Sequence, residues 1–210
     1  MIVFLDSFFH LDEWLQQIII LHPLITYLLI FGFVYTESAF FPLAPFLPGD
    51  GLLFSVGVLA TGGFFNLWIV IPAFIVAGVL GTGTAFLLGK KTGGWLLSRI
   101  SRLNQKHVDQ ANSFYKKYGG LAFLFSRFMP VLRSLVPLIA GIANMDKREF
   151  WKYNIVSVSI WVILITFMGY ELGHLSFVKE YFGNIVLGGS VISLIIIVLL
   201  SIFQKIKRRA

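Results

Sequence analysis

Apolar residues run almost unbroken along several stretches of the chain, at about residues 18–36, 51–61, 64–89, 121–143, 153–175 and 185–203. Three of these, 64–89, 153–175 and 185–203, carry no central charge and come close to or exceed the ~20 residues a helix needs to cross a bilayer, so each predicts a transmembrane span. Residues 3–17 instead set Phe4, Leu5, Phe8, Phe9, Leu11 and Leu15 against Asp6, Asp12, Glu13 and Gln16, which predicts an amphipathic interfacial segment over 1–17. Between Gly94 and Gly119, Leu96, Ile100, Leu103, His107, Ala111, Phe114 and Tyr118 recur at steps of three and four beside Arg99, Arg102 and Lys106. That spacing predicts an amphipathic helix over 94–118 lying on the membrane.

Two stretches interrupt their own pattern. Residues 18–61 are broken by PLAPFLPGD, with Pro42, Pro45, Pro48 and Gly49 bracketed by Glu37 and Asp50. Residues 121–143 hold Arg127 and Arg133 around Pro130, with Pro137 following. At roughly 2.5–3.5 kcal/mol per charge at the bilayer centre, lipid would not tolerate these four groups, so they must face protein, water or a ligand. Each broken stretch is expected to form a hairpin that enters and leaves on one side, because non-helical backbone at membrane depth needs cover from protein or water. With 64–89 and 153–175 following as full spans, the two hairpins make an inverted repeat of about 90 residues, the pattern by which broken helices mark a transporter's midplane site. Two proline kinks in an ordinary bundle would be the plainer alternative.

Composition agrees with a membrane setting. The chain is 57% hydrophobic and only 13% charged, with a mean hydropathy of +0.84, where a soluble domain is about 25% charged. The fold class expected is therefore an all-α integral membrane protein, with two opposed re-entrant hairpins plus full transmembrane helices. A transmembrane domain over 18–175 would precede a C-terminal helix at 185–203 and a basic tail at 204–210. No basic n-region of a signal peptide opens the chain, so all of it is expected in the mature protein. The net charge of +7 is unevenly placed: the first Lys or Arg is Lys90, a basic cluster runs from there to Lys117, and Lys205, Lys207, Arg208 and Arg209 close the chain. Basic clusters flanking apolar spans belong on the cytoplasmic side, with Gly62 to Asn66 outside. They favour anionic head groups and exclude a nucleic-acid face. Cysteine is absent, which removes thiolate metal sites and thiol nucleophiles.

The chemistry open to these residues is narrow. Paired guanidiniums at membrane depth suit a phosphate or carboxylate ligand, because their planar fork binds such groups bidentately. A structural ion pair of Arg127 and Arg133 with Glu37 and Asp50 is the alternative, and ligand and carboxylate can compete for the same arginines. Glu37 and Asp50, held in a dry cavity, would exchange protons in the physiological range and couple transport to them; Asp50, in PGD, also suits a turn residue. The stripe Ala77, Gly81, Ala85 and Gly89 points to close helix packing. GTGTA at 81–85 lacks the features of a phosphate loop, and His10, His22, His107 and His174 have no metal-ligand spacing. No metal or cofactor is expected.

Taken together, Glu37, Pro48-Gly49-Asp50, Gly57, the Gly81–Gly93 span, Phe125-x-Arg127-Phe128-x-Pro130-x-x-Arg133, Ala140-Gly141, Met145, Phe150, Asn154, Trp161 and Gly169-Tyr170-x-x-Gly173 resemble the DedA family, also called the SNARE-associated or VTT-domain family. The likeness runs from about 30 to 175. It implies opposed re-entrant hairpins and movement of lipids across the membrane, since bacterial relatives include undecaprenyl phosphate translocases and eukaryotic ones phospholipid scramblases. Where many members have an acidic residue after the glycine and a tyrosine four residues on, this chain has Thr82 and Phe86, which leaves a proton relay through that span without those groups. The expectation is a flippase for undecaprenyl phosphate or another anionic phospholipid, with Arg127 and Arg133 on the phosphate and Glu37 and Asp50 carrying protons. Its partners are then membrane lipids and protons, with self-association left open. A proton-coupled antiporter of small cations, with structural arginines, is the alternative. An enzyme such as a lipid phosphatase is disfavoured, because no histidine nucleophile sits in a basic pattern.

Overall fold

A computed structural model describes residues 19–40, 49–99, 120–128 and 132–175. Among them the backbone is helical with no strand, in the order α1 (Pro23–Ala39), α2 (Gly49–Thr61), α3 (Leu67–Arg99), α4 (Gly120–Arg127), α5 (Leu132–Ile142) and α6 (Lys147–Leu172). The segment 1–17, most of 94–118, the helix at 185–203, the tail at 204–210 and Pro42, Pro45, Pro48 and Pro130 lie outside the described residues.

Both interrupted stretches divide into two short helices, α1 with α2 and α4 with α5. Pro137, expected at a break, lies instead inside α5 and buried. As the sixth residue of that helix it withholds one N–H, the one owed to the Arg133 carbonyl, and the helix continues past it. The two long apolar helices, Leu67–Gly93 and Lys147–Leu172, are each of a length to cross a bilayer. Their bounds differ from those expected. Helix α3 starts after the turn at Gly62 and Gly63, the latter at φ 78°, accommodates Pro72 in its second turn, and runs on through Lys90, Lys91, Gly93 and Gly94 to Arg99. Helix α6 starts at Lys147 rather than 153, because Asp146 caps it: Oδ1 accepts from the Arg148 and Glu149 amides at 2.8 and 3.1 Å.

The residues fall into two compact units. One gathers α1 up to Leu28, α2 and α6 from Ile165. Its helices approach through glycine: a Cβ on Gly57 would strike the Thr166 carbonyl, and one on Gly169 the Phe54 backbone. Leu53, Val56 and Leu59 fill its core, and Tyr27 packs edge-on against Phe65 while its hydroxyl accepts from the Asn66 amide at 3.2 Å.

The other unit holds α1 from Leu29, α3 from Trp68, α4, α5 and α6 up to Leu164. Phe86 stacks on Phe150 at 4.0 Å, Phe123 meets Phe150 edge-on at 5.7 Å, and Ala140 completes the cluster. The small-residue stripe on α3 is packing surface: Ala77 and Ala85 are buried, Gly81 faces the Tyr35 carbonyl and Ser38, and Gly89 faces Leu138 of α5. From the α5 side, Gly141 faces the Phe86 carbonyl and the Lys90 amide. Because backbone meets backbone there, Gly141→Ala is expected to destabilise by about 1–3 kcal/mol through overpacking. Thermal denaturation in detergent micelles checks this, and an unchanged midpoint would show slack in the crossing.

Candidate functional site

The middle of helix α6 turns its uncharged polar residues inward. Asn154, Ser157 and Trp161, spaced three and four apart, are buried with Val158 and Val162, while Ile155, Val156, Ile160, Ile163 and Leu164 are exposed. Polar residues inside and apolar residues outside is the reverse of a soluble helix, and it suits a protein whose solvent is lipid.

The two sequence-predicted arginines sit against this stripe with different partners. Both are 1% exposed. Arg133, in the first turn of α5, donates through Nη2 to Glu37 Oε1, and its guanidinium lies 5.3 Å from the centroid of the Trp161 ring. Each charge of this pair occupies the unfavourable end of its helix, Glu37 near the C-terminus of α1 and Arg133 near the N-terminus of α5. Pairing removes both conflicts. The cation over the indole face adds an attraction that strengthens when desolvated.

Arg127 closes α4, where a cation is favoured by the helix dipole. Its Nη2 donates to Asn154 Oδ1 at 2.6 Å and its Nε to Ser157 Oγ at 3.5 Å. Nη1 is buried and has no hydrogen-bond partner among the described residues. Arg127 is therefore a buried cation held by an amide and a hydroxyl, with one donor edge unused. Asn154 also accepts from Thr82 Oγ1 at 2.7 Å and donates through Nδ2 to the Val79 carbonyl at 3.2 Å.

Glu37 and both arginines thus come together in one unit, with Thr82, Asn154, Ser157 and Trp161 around them. Asp50 belongs to the other unit, in the first turn of α2, directly after Gly49, which begins that helix. A carboxylate there is favoured by the helix dipole. Among the described residues no group of three or more His, Asp or Glu could hold a metal ion. Thr82, Asn154 and Ser157 were not singled out as site residues from sequence. The available signal was the spacing of Asn154, Ser157 and Trp161 on one face of an apolar span.

A family model described as the VTT domain matches residues 47–171. The chain is similar to the protein DedA of Escherichia coli (strain K12), at 29% identity over 195 residues, covering 91% of this chain and 89% of that one. It is also similar to a membrane protein of Mycobacterium leprae (strain TN), 34% identical over 155 residues with 73% and 70% covered. The inner membrane protein YghB of E. coli (strain K12) is 32% identical over 163 residues, with 75% and 72% covered. No solved structure matches the chain.

Proposed function

The chain belongs to the DedA family of membrane proteins and carries its VTT domain, and from that premise we propose that it moves a lipid phosphate across the cytoplasmic membrane of a bacterium. The cargo class is a polyprenyl phosphate such as undecaprenyl phosphate, or another anionic phospholipid, with movement driven by proton exchange. Helices α1 with α2 and α4 with α5 serve as opposed re-entrant hairpins of an inverted repeat, and the chain crosses the membrane several times.

One observation carries this reading: among the described residues, Arg127 is buried with neutral partners and keeps an unused donor edge. A cation in that state is costly to hold in a folded protein unless an anion repays it during function. The lipid phosphate binds first at Arg127 Nη1 and then competes with Glu37 for Arg133. Glu37, displaced, takes up a proton, and its later loss restores the Arg133 pair and releases the phosphate. Asp50 is the second carboxylate of the proton exchange. The geometry modifies the expectation of two equivalent arginines, since Arg133 is already engaged by Glu37.

Thermal denaturation of the purified protein in detergent micelles tests the reading. Undecaprenyl phosphate at about 100 times its Kd should add about 2.7 kcal/mol of stability, while undecaprenol should add far less. Equal shifts for phosphate and alcohol would refute a phosphate site. The Arg133–Glu37 pair favours a second reading, a proton-coupled antiporter of small cations in which the arginines are structural. Proton-driven cation flux in vesicles of zwitterionic lipid, free of lipid phosphate monoesters, would select it.

A further inference from the structure

Resting on the reading of Arg127 as the phosphate-binding cation, we infer that Thr82 and Asn154 are positioning residues, which aim Arg127 by a dipole and so leave its charge uncompensated for the ligand. Thr82 and Asn154 are fully buried, and Arg127 is buried with them. An asparagine amide fits its density of neighbours either way round, and only their donor and acceptor chemistry decides. Arg127 offers donors alone, so the oxygen of Asn154 must face it, and the Val79 carbonyl on the other side requires the NH2. That orientation leaves Asn154 Oδ1 and Thr82 Oγ1 2.7 Å apart, two oxygens that repel unless the Thr82 hydrogen lies between them.

The Thr82 hydroxyl has a competing acceptor, the Gly78 carbonyl at 2.7 Å, which is where a helical threonine ordinarily donates. The Asn154 oxygen and the Gly78 carbonyl share that one hydrogen, and the contact with Asn154 is the one that ties Thr82 to the partner of Arg127. Thr82 in turn holds the oxygen toward Arg127 and opposes a flip of the amide. A carboxylate in place of Asn154 would have the same shape and would neutralise Arg127, so the amide is chemically specific.

Binding of farnesyl phosphate to the full-length protein in detergent micelles, with farnesol as control, tests this in Thr82→Val, Thr82→Ser and Asn154→Asp. Valine keeps the shape of threonine and loses the hydroxyl, whereas serine keeps the hydroxyl and leaves a methyl-sized void. Thr82→Val is expected to weaken farnesyl phosphate binding about tenfold, the scale of one buried hydrogen bond, with Thr82→Ser within about threefold of the parent. Asn154→Asp should weaken it more than either. Thermal stability should follow the opposite order, with the valine variant at least as stable as the serine variant. Binding that follows the stability order, or equal affinity for the serine and valine variants, overturns the positioning role while Arg127 stands. A parent that binds farnesyl phosphate no better than farnesol overturns the phosphate site and this inference together, and that arm alone tells the two failures apart.

Discussion

Arg133→Ala is expected to cost about 3–5 kcal/mol of stability, the usual result of stranding the partner of a buried ion pair. Glu37 is fully buried, and removing Arg133 takes away the guanidinium from which its Oε1 accepts. The loss at Trp161, where the cation stacks, adds to this. The double variant Glu37→Gln with Arg133→Met should recover most of the loss, because a well-filled neutral site escapes the desolvation cost of both charges. Denaturation of the parent, Glu37→Gln, Arg133→Met and the double variant in one detergent gives the coupling energy as a double-mutant cycle. A single Arg133→Ala variant that melts with the parent would mean that the pair contributes nothing to the fold.

Arg127 should behave in the opposite sense. Arg127→Met removes a buried charge whose described partners are neutral, so stability should stay level or rise while lipid-phosphate binding is lost. Arg127→Lys keeps the charge but has no fork with which to hold Asn154 and Ser157 and still present a donor edge. Its affinity for a lipid phosphate should fall by about 1.5–3 kcal/mol, roughly 10- to 150-fold, the loss of a charge-assisted bond. Titration with undecaprenyl phosphate, alongside a melt of the same samples, checks both. If Arg127→Met unfolds the protein as Arg133→Ala is expected to, Arg127 is structural and the phosphate site lies elsewhere.

Charged groups and helix breakers were the legible part of this molecule. Four ionisable residues in apolar stretches could not face lipid, and three of them, Glu37, Arg127 and Arg133, do converge in one unit. The Glu37–Arg133 pairing was foreseeable as one of two alternatives, but its selectivity was not, because sequence spacing does not tell which arginine meets which carboxylate across 96 residues. Asn154 and Thr82 stand in the sequence as a point of family likeness and a point of departure, and their place in the site was not legible for another reason. Uncharged polar residues inside a span carry a small penalty, and their value appears only when the partner, 72 residues away, is in place. Helix α6 begins six residues ahead of the apolar run at 153, because Asp146 caps it before the charged Lys147, Arg148 and Lys152.

The placement of partners also orders the protein's biosynthesis. Arg133 finds Glu37 on a helix synthesised long before it, so this charge can be neutralised as soon as α5 emerges. Arg127 depends on Asn154 and Ser157, which follow it by 27 and 30 residues. At about 5–20 residues per second, the ribosome needs roughly 1–6 s to deliver them. During that interval the nascent α4 has its arginine but not its cradle, and it must wait at the head-group layer, where water and lipid phosphates solvate a guanidinium, until α6 arrives to carry it inward.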